Sequence, residues 1–126
     1  MENMTPGSNF PVFFNEVDSQ CSGANSRVLQ IMTWGLIPSF TSWLVKEPDH
    51  FKMFNARLET IDEKPSFQKI VKTNRCVVLV SGYFEWKVDE ETGRKQPYYV
   101  SRKDGQPFHL AGVYDSWKVC HSNMWH

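Results

Sequence analysis

The chain has no long apolar run. Its longest, Cys76 to Val80, falls far short of the about 20 residues that a membrane-spanning helix needs. No charged-then-apolar leader stands at the amino terminus, so no secretory signal is expected. There is no excess of charge of either sign: fourteen Lys and Arg balance fourteen Asp and Glu. That balance excludes a strongly basic nucleic-acid binder and an acidic disordered tail as descriptions of the whole chain, but it leaves room for a local basic patch. Cysteine is scarce. Cys21, Cys76 and Cys120 are odd in number and far apart, and they form neither a CxxC pair nor a Cys/His metal spacing. No disulfide framework, metal site or cofactor is therefore expected, and the compartment reads as reducing and intracellular. Cys76, inside a strand-like apolar run, reads as a reduced core residue. Repeats and low-complexity segments are also absent, and 126 residues leave room for one domain.

Aromatic residues, in contrast, are plentiful: nine Phe, five Trp and four Tyr make up 14% of the chain. A core accounts for most such rings, and the remainder suits a surface that stacks on flat ligands. Strands are expected over Phe10 to Val17 and Val28 to Met32, with a polar hairpin loop over Asp18 to Ser26 between them. Ser39 to Phe54 reads as loop. Thr60, with Glu63 as a capping box, caps a helix that Pro65 limits to about a turn, or else Ser66 caps a helix over Phe67, Ile70 and Val71. Arg75 to Val80 reads as a buried strand, which Gly82 to Lys87 continues or bulges. Val88 to Lys95 fits a hairpin turn. Gln96 to Ser101 and Phe108 to Tyr114 are strands joined through Asp104-Gly105, a strong hairpin signal. The sum is an α+β domain built mostly on antiparallel sheet.

Three segments concentrate residues suited to chemistry. Trp34-Gly35-Leu36-Ile37-Pro38 leaves a strand, and Trp34 either packs on the core or presents its ring face there. In Phe54-Asn55-Ala56-Arg57, Asn55 and Arg57 share a face if the segment is extended. They then suit a phosphate or the orientation of a nucleophile, and otherwise form a solvated loop. In Ser81-Gly82-Tyr83-Phe84-Glu85-Trp86, a carboxylate among rings is either partly desolvated, as suits a proton shuttle, or exposed and paired with Lys87 or Lys95.

These segments, with Asn3-Met4-Thr5-Pro6, Arg75-Cys76-Val77-Val78, Gln96-Pro97-Tyr98-Tyr99 and Leu110-Ala111-Gly112-Val113-Tyr114-Asp115-Ser116-Trp117, stand together in an order that resembles one family. It is the SRAP (SOS response-associated peptidase) family of abasic-site-processing proteins, and the resemblance covers about residues 2 to 118. The resemblance implies a mostly antiparallel, barrel-like SRAP fold, incomplete here, over residues 1–118, followed by a non-family tail over 119–126. It implies covalent capture of abasic sites in single-stranded DNA by a cysteine that follows the initiator Met, forming a thiazolidine, together with autoproteolytic peptidase activity. It also implies that Asn55 orients the nucleophile, Glu85 shuttles protons, Arg57 holds the lesion phosphate and Trp34 belongs to the DNA-binding surface. The partner would be single-stranded DNA bearing abasic sites, with no membrane, a monomeric state, and a nuclear location in a eukaryote.

Two departures qualify that expectation. Glu2 stands at position 2, and the family's later His motif is not matched by His121 or His126. The chain reads as a truncated SRAP protein in which Asn55, Arg57, Glu85 and an aromatic surface are kept. The rival readings are a non-catalytic single-stranded-DNA-binding module and a fragment too incomplete to fold. Thiazolidine closure needs an α-amine and a thiol on one residue, and positioning gives no rate advantage when one group is missing. The chain as written is therefore expected to give no heat-stable adduct with abasic single-stranded DNA on a denaturing gel. Restoring a Cys after the initiator Met, with the later His motif, brings the adduct back. A stable adduct mapped by mass spectrometry to Cys21, Cys76 or Cys120 would overturn this.

Overall fold

The computed structural model describes residues 3–17, 25–42 and 44–118, apart from the side chains of residues 17 and 25. Cys21, Cys120, most of the loop expected at Asp18 to Ser26 and the tail 119–126 lie outside the described residues. The elements are β1 (Asn9–Val17), β2 (Asn25–Thr33), α1 (Pro65–Gln68), β3 (Arg75–Val80), β4 (Gly82–Val88), β5 (Lys95–Ser101) and β6 (Phe108–Val113). Four strands form a sheet in the order β2-β1-β3-β6, and β4 and β5 form a second sheet of two. The described pairings are all antiparallel. The architecture is thus the sheet-dominated α+β fold that was expected, but among the described residues neither sheet closes into a barrel.

Register determines which side chains share a face. Phe13 stands opposite Leu29 and Val77, Pro11 opposite Ile31, and Val77 opposite Ala111. The alternate set, Val12, Phe14, Cys76, Val78, Leu110 and Gly112, occupies the other face. The core lies on that second face. Val12 and Cys76 are buried there, and Phe67 and Ile70, from α1 and the turn after it, complete the buried set. Full burial of an apolar side chain of this size stabilises by about 1.5–3 kcal/mol. The Phe14 and Tyr114 rings pack 4.9 Å apart at the edge of this layer. Burial pushes the Cys76 thiol above its ordinary range. The Tyr114 hydroxyl is raised as well, first by burial and then by the negative charges of Cys76 and Glu16.

Several expectations change. The first face of the main sheet is apolar yet open: Phe13, Leu29, Ile31 and Val77 are all exposed, so β3 is covered on one side only. Most rings are likewise outside the core. Phe13, Phe40, Phe51, Phe54, Tyr83, Phe84, Trp86, Tyr98 and Tyr99 are exposed, and Phe67 is the one buried ring among the described residues. β4 neither continues nor bulges β3; it starts a separate sheet after Ser81. The turn at Asp104-Gly105 forms, with Gly105 at φ 70° and Asp104 paired to Arg102, but it does not close a hairpin. β5 pairs with β4 and β6 pairs with β3. A turn signal reverses the chain, and the partner is chosen by which apolar faces match. α1 is a single turn. Lys64 stands at its N-cap without a side-chain bond, so neither Thr60 nor Ser66 caps it.

The expected hairpin at Val88 to Lys95 is present. Asp89 accepts from the Glu91 and Thr92 amides and from the Thr92 hydroxyl, and Gly93 takes φ 67°. The Thr92 contacts are the main reason that the Asp89 carboxyl sits below its usual range.

Gly112 faces Cys76 across the β3–β6 ladder, and a Cβ there would stand 2.9 Å from the Cys76 sulfur and 3.4 Å from a Val78 methyl. Gly112→Ala is therefore expected to destabilise the protein by about 1–3 kcal/mol in urea denaturation. Cys76→Ala in the same chain makes room, so the double variant should be more stable than the two single effects summed, by at least about 0.5 kcal/mol. Strict additivity would show that the contact does not matter.

Candidate nucleic-acid interface

The site begins where β2 ends. Trp34 follows Thr33, and its backbone is bonded on both sides to the amino-terminal turn. The Trp34 amide donates to Ser8 O at 2.8 Å, and the Gly7 amide donates to Trp34 O at 2.7 Å. Its side chain turns toward a third stretch of chain. The indole Nε1–H donates to Phe54 O at 2.7 Å, and the ring meets Phe10 and Phe54 edge-on, with centroids 6.0 and 5.9 Å away. Trp34 is thus half-buried, and its role is to tie the Phe54 segment to the end of the sheet.

Gly35 and Leu36 add to the same junction. The Leu36 amide donates to Met53 O at 2.8 Å. His50 Nδ1–H donates to Gly35 O at 2.7 Å; a carbonyl can only accept, so Nδ1 carries the hydrogen. Gly35 sits at φ +108°, and a Cβ there would lie 2.3 Å from His50 O. Further along, Asp115 Oδ2 accepts from the Ser39 amide at 2.7 Å, and Trp117 Nε1–H donates to Thr41 O at 3.1 Å. The conspicuous residues of the Leu110 to Trp117 segment therefore brace the loop that follows Trp34.

Asn55, Ala56 and Arg57 project from this junction and are exposed. Arg57 O accepts from the Thr60 amide, which begins the turn leading toward α1. The one ion pair among the described residues is Arg102 with Asp104, so the Arg57 guanidinium has no carboxylate partner there. Phe40, also exposed, has the Lys69 ammonium 5.9 Å over its ring. The arrangement offers a fork donor, an amide and ring faces on one bonded unit, a combination suited to phosphates and unstacked bases. Among the described residues no group of three or more His, Cys, Asp or Glu could hold a metal ion, and no helix is long and apolar enough to cross a membrane.

Glu85 is placed differently from Trp34, Asn55 and Arg57. It lies in the middle of β4, opposite Tyr98 of β5, and it is exposed rather than desolvated among its neighbouring rings. Tyr83, Phe84, Trp86 and Tyr98 are themselves exposed, so the rings beside Glu85 do not enclose it. Among the described residues no hydrogen bond joins Glu85 to Asn55 or Arg57. The β4–β5 sheet touches the main sheet through Tyr83 and Phe108, whose rings are 5.6 Å apart.

The family model described as SOS response associated peptidase (SRAP) matches residues 1–125. The chain belongs to the SRAP family. Similar proteins include abasic site processing protein YMR114C of Saccharomyces cerevisiae, 41% identical over 72% of this chain and 24% of that protein. Abasic site processing protein YoqW of Bacillus subtilis is 36% identical over 96% of this chain and 49% of its own. Abasic site processing protein HMCES of Pongo abelii is 33% identical over 93% of this chain and 37% of its own. A crystal structure of a protein from Bacteroides thetaiotaomicron superposes with a TM-score of 0.63 at 36% identity, covering 90% of this chain and 44% of that one. The chain spans about half, or less, of the length of these SRAP relatives.

Sequence reasoning singled out Trp34, Asn55, Arg57 and Glu85 but missed His50. A lone histidine in a loop carries no pattern, and its partner is a backbone carbonyl fifteen residues away. Gly35 offers the sharpest test of the junction. Gly35→Ala meets both an unfavourable φ and a backbone clash, at an expected cost of about 2–4 kcal/mol. Gly93→Ala has a positive φ but nothing within 4 Å of the new Cβ, and should cost only about 1 kcal/mol. Equal losses in thermal or urea denaturation would contradict the packing described for His50.

Proposed function

We propose that the chain recognises abasic sites in single-stranded DNA, with Arg57 on the lesion phosphate, Asn55 beside it and the Trp34 region as the aromatic surface. The observation that carries this reading is the bonded junction of Trp34 with Phe54, which leaves Asn55 and Arg57 exposed together and Arg57 without a carboxylate partner among the described residues. Relatives that bear the name abasic site processing protein support it. The covalent chemistry, capture of the opened sugar of an abasic site with Asn55 orienting the nucleophile, Glu85 moving protons and an associated autoproteolytic activity, is proposed for the form that carries a Cys after the initiator Met; with Glu2 in that place the chain as written binds without leaving an adduct. We read the compartment as intracellular, nuclear in a eukaryote, and the binding unit as a monomer.

A second reading, a non-catalytic DNA-binding module, has one observation in its favour. Glu85 is exposed on the separate β4–β5 sheet and shares no hydrogen bond with Asn55. Binding without chemistry needs only phosphate contacts and stacking. A denaturing gel of the form with Cys restored after the initiator Met and the later His motif in place separates the two readings, since only the enzyme then leaves a covalent product.

The binding reading is tested by fluorescence anisotropy with a labelled abasic single-stranded oligonucleotide over a series of salt concentrations. Arg57→Ala should weaken binding and reduce the slope of log affinity against log salt by about one. Unchanged affinity and slope in a folded Arg57→Ala chain would remove Arg57 from the interface.

A further inference from the structure

His50 has no role in the chemistry above, yet it stands where three stretches of chain meet. Its Nδ1–H donates to Gly35 O, its backbone oxygen lies where a Gly35 Cβ would fall, and its Cδ2 is 4.0 Å from the Cβ that Gly7 lacks. An Asx turn sets up the residue, with Asp49 Oδ1 accepting from the Phe51 amide at 3.0 Å. Three residues on, Met53 O takes the Leu36 amide, and Phe54 O takes the Trp34 indole. The segment that ends in Asn55 and Arg57 is thus fastened to the Trp34–Leu36 strand exit at three successive points, and His50 supplies the first. Of those three, only the His50 and Trp34 fastenings use side chains, so only they are open to substitution without breaking the backbone.

We propose that His50 is a positioning residue: its bond to Gly35 holds the segment 50–57 in the conformation that presents Asn55 and Arg57 to DNA. The role rests on the DNA-binding reading of Arg57. A bond of this kind does not contact the ligand. It removes alternative conformations from the unbound loop, so that less ordering remains to be done on binding. The bond has a required chemistry: a donor at the distance of Nδ1 from the backbone. An asparagine amide nitrogen occupies nearly the same place, whereas leucine, of the same shape as asparagine, has no donor.

His50→Leu and His50→Asn therefore form the test, read first by hydrogen exchange of the free 126-residue chain. With Leu, the amides bonded in and to this segment, Phe51, Lys52 and Leu36, should exchange about fivefold faster, while those of β3 and β6 keep wild-type rates; with Asn the wild-type pattern should return. Anisotropy with the labelled abasic oligonucleotide then follows. His50→Leu should bind about three- to tenfold more weakly with an unchanged salt slope, because no phosphate contact is lost, and His50→Asn should bind as wild type. Arg57→Ala should instead lower the slope.

Unchanged exchange at these amides in His50→Leu would overturn the proposal whatever the DNA result. So would faster exchange with wild-type binding in His50→Leu while Arg57→Ala weakens binding; in that case the DNA reading stands and the positioning role falls. If Leu unfolds the chain as a whole, wild-type exchange and binding in His50→Asn support the proposal, and loosening of 50–57 in that variant overturns it. If the wild-type chain has no affinity for the oligonucleotide, the DNA reading itself falls and takes the positioning role with it.

Discussion

The arrangement of this protein depends on the peptide groups of Trp34, Gly35 and Leu36. Leaving β2, they exchange hydrogen bonds with the turn at Gly7 and Ser8 on one side and with His50, Met53 and, through the indole, Phe54 on the other. Each bond contributes about 1 kcal/mol net. Few of the described residues are buried, so a cluster of such bonds is a substantial part of what fixes the loops. The glycine at the centre is required for two reasons at one atom: its φ is positive, and a Cβ would collide with His50 O. Asn55 and Arg57 have defined places because the stretch before them has no slack.

The main sheet behind this junction is apolar on both faces. One face carries Val12 and Cys76 into the core with Phe67 and Ile70. The other lines up Leu29, Phe13 and Val77 across three strands and leaves them exposed. The β4–β5 sheet is similarly uncovered, with Phe84, Trp86, Val88 and Tyr99 exposed. Apolar residues on both faces of a sheet are the pattern of a middle layer.

Placement also separates the proposed chemistry into two parts. The groups proposed to bind phosphate and to stack, Arg57, Asn55 and the Trp34 region, sit on one bonded unit at the end of the main sheet. The carboxylate stands on a hairpin whose contact with that sheet includes the Tyr83–Phe108 ring pair. A hairpin of two strands is at best marginally stable alone, so what orders β4 and β5 also decides where Glu85 points. The residues proposed for binding are thereby held together, and the carboxylate proposed for proton transfer stands apart from them.

The local features could be read from the residues alone: the strands β1, β2, β3, β5 and β6, the extended run of Gly82 to Lys87 though not its separation from β3, the turns at Asp89 to Gly93 and at Asp104-Gly105, the reduced buried Cys76, and the family motifs that single out Trp34, Asn55, Arg57 and Glu85. These rest on periodicity, on turn chemistry and on short residue patterns, which act over a few residues and can be read there. Tertiary structure alone decided that β6 pairs with β3 rather than with β5, that the Phe13 face stays open, that Trp34 spends its indole N–H on Phe54, and that Glu85 is exposed. It alone also brought His50 onto Gly35. Those outcomes turn on which distant surfaces meet, and a residue whose partner is a backbone carbonyl far along the chain leaves no mark in the sequence around it.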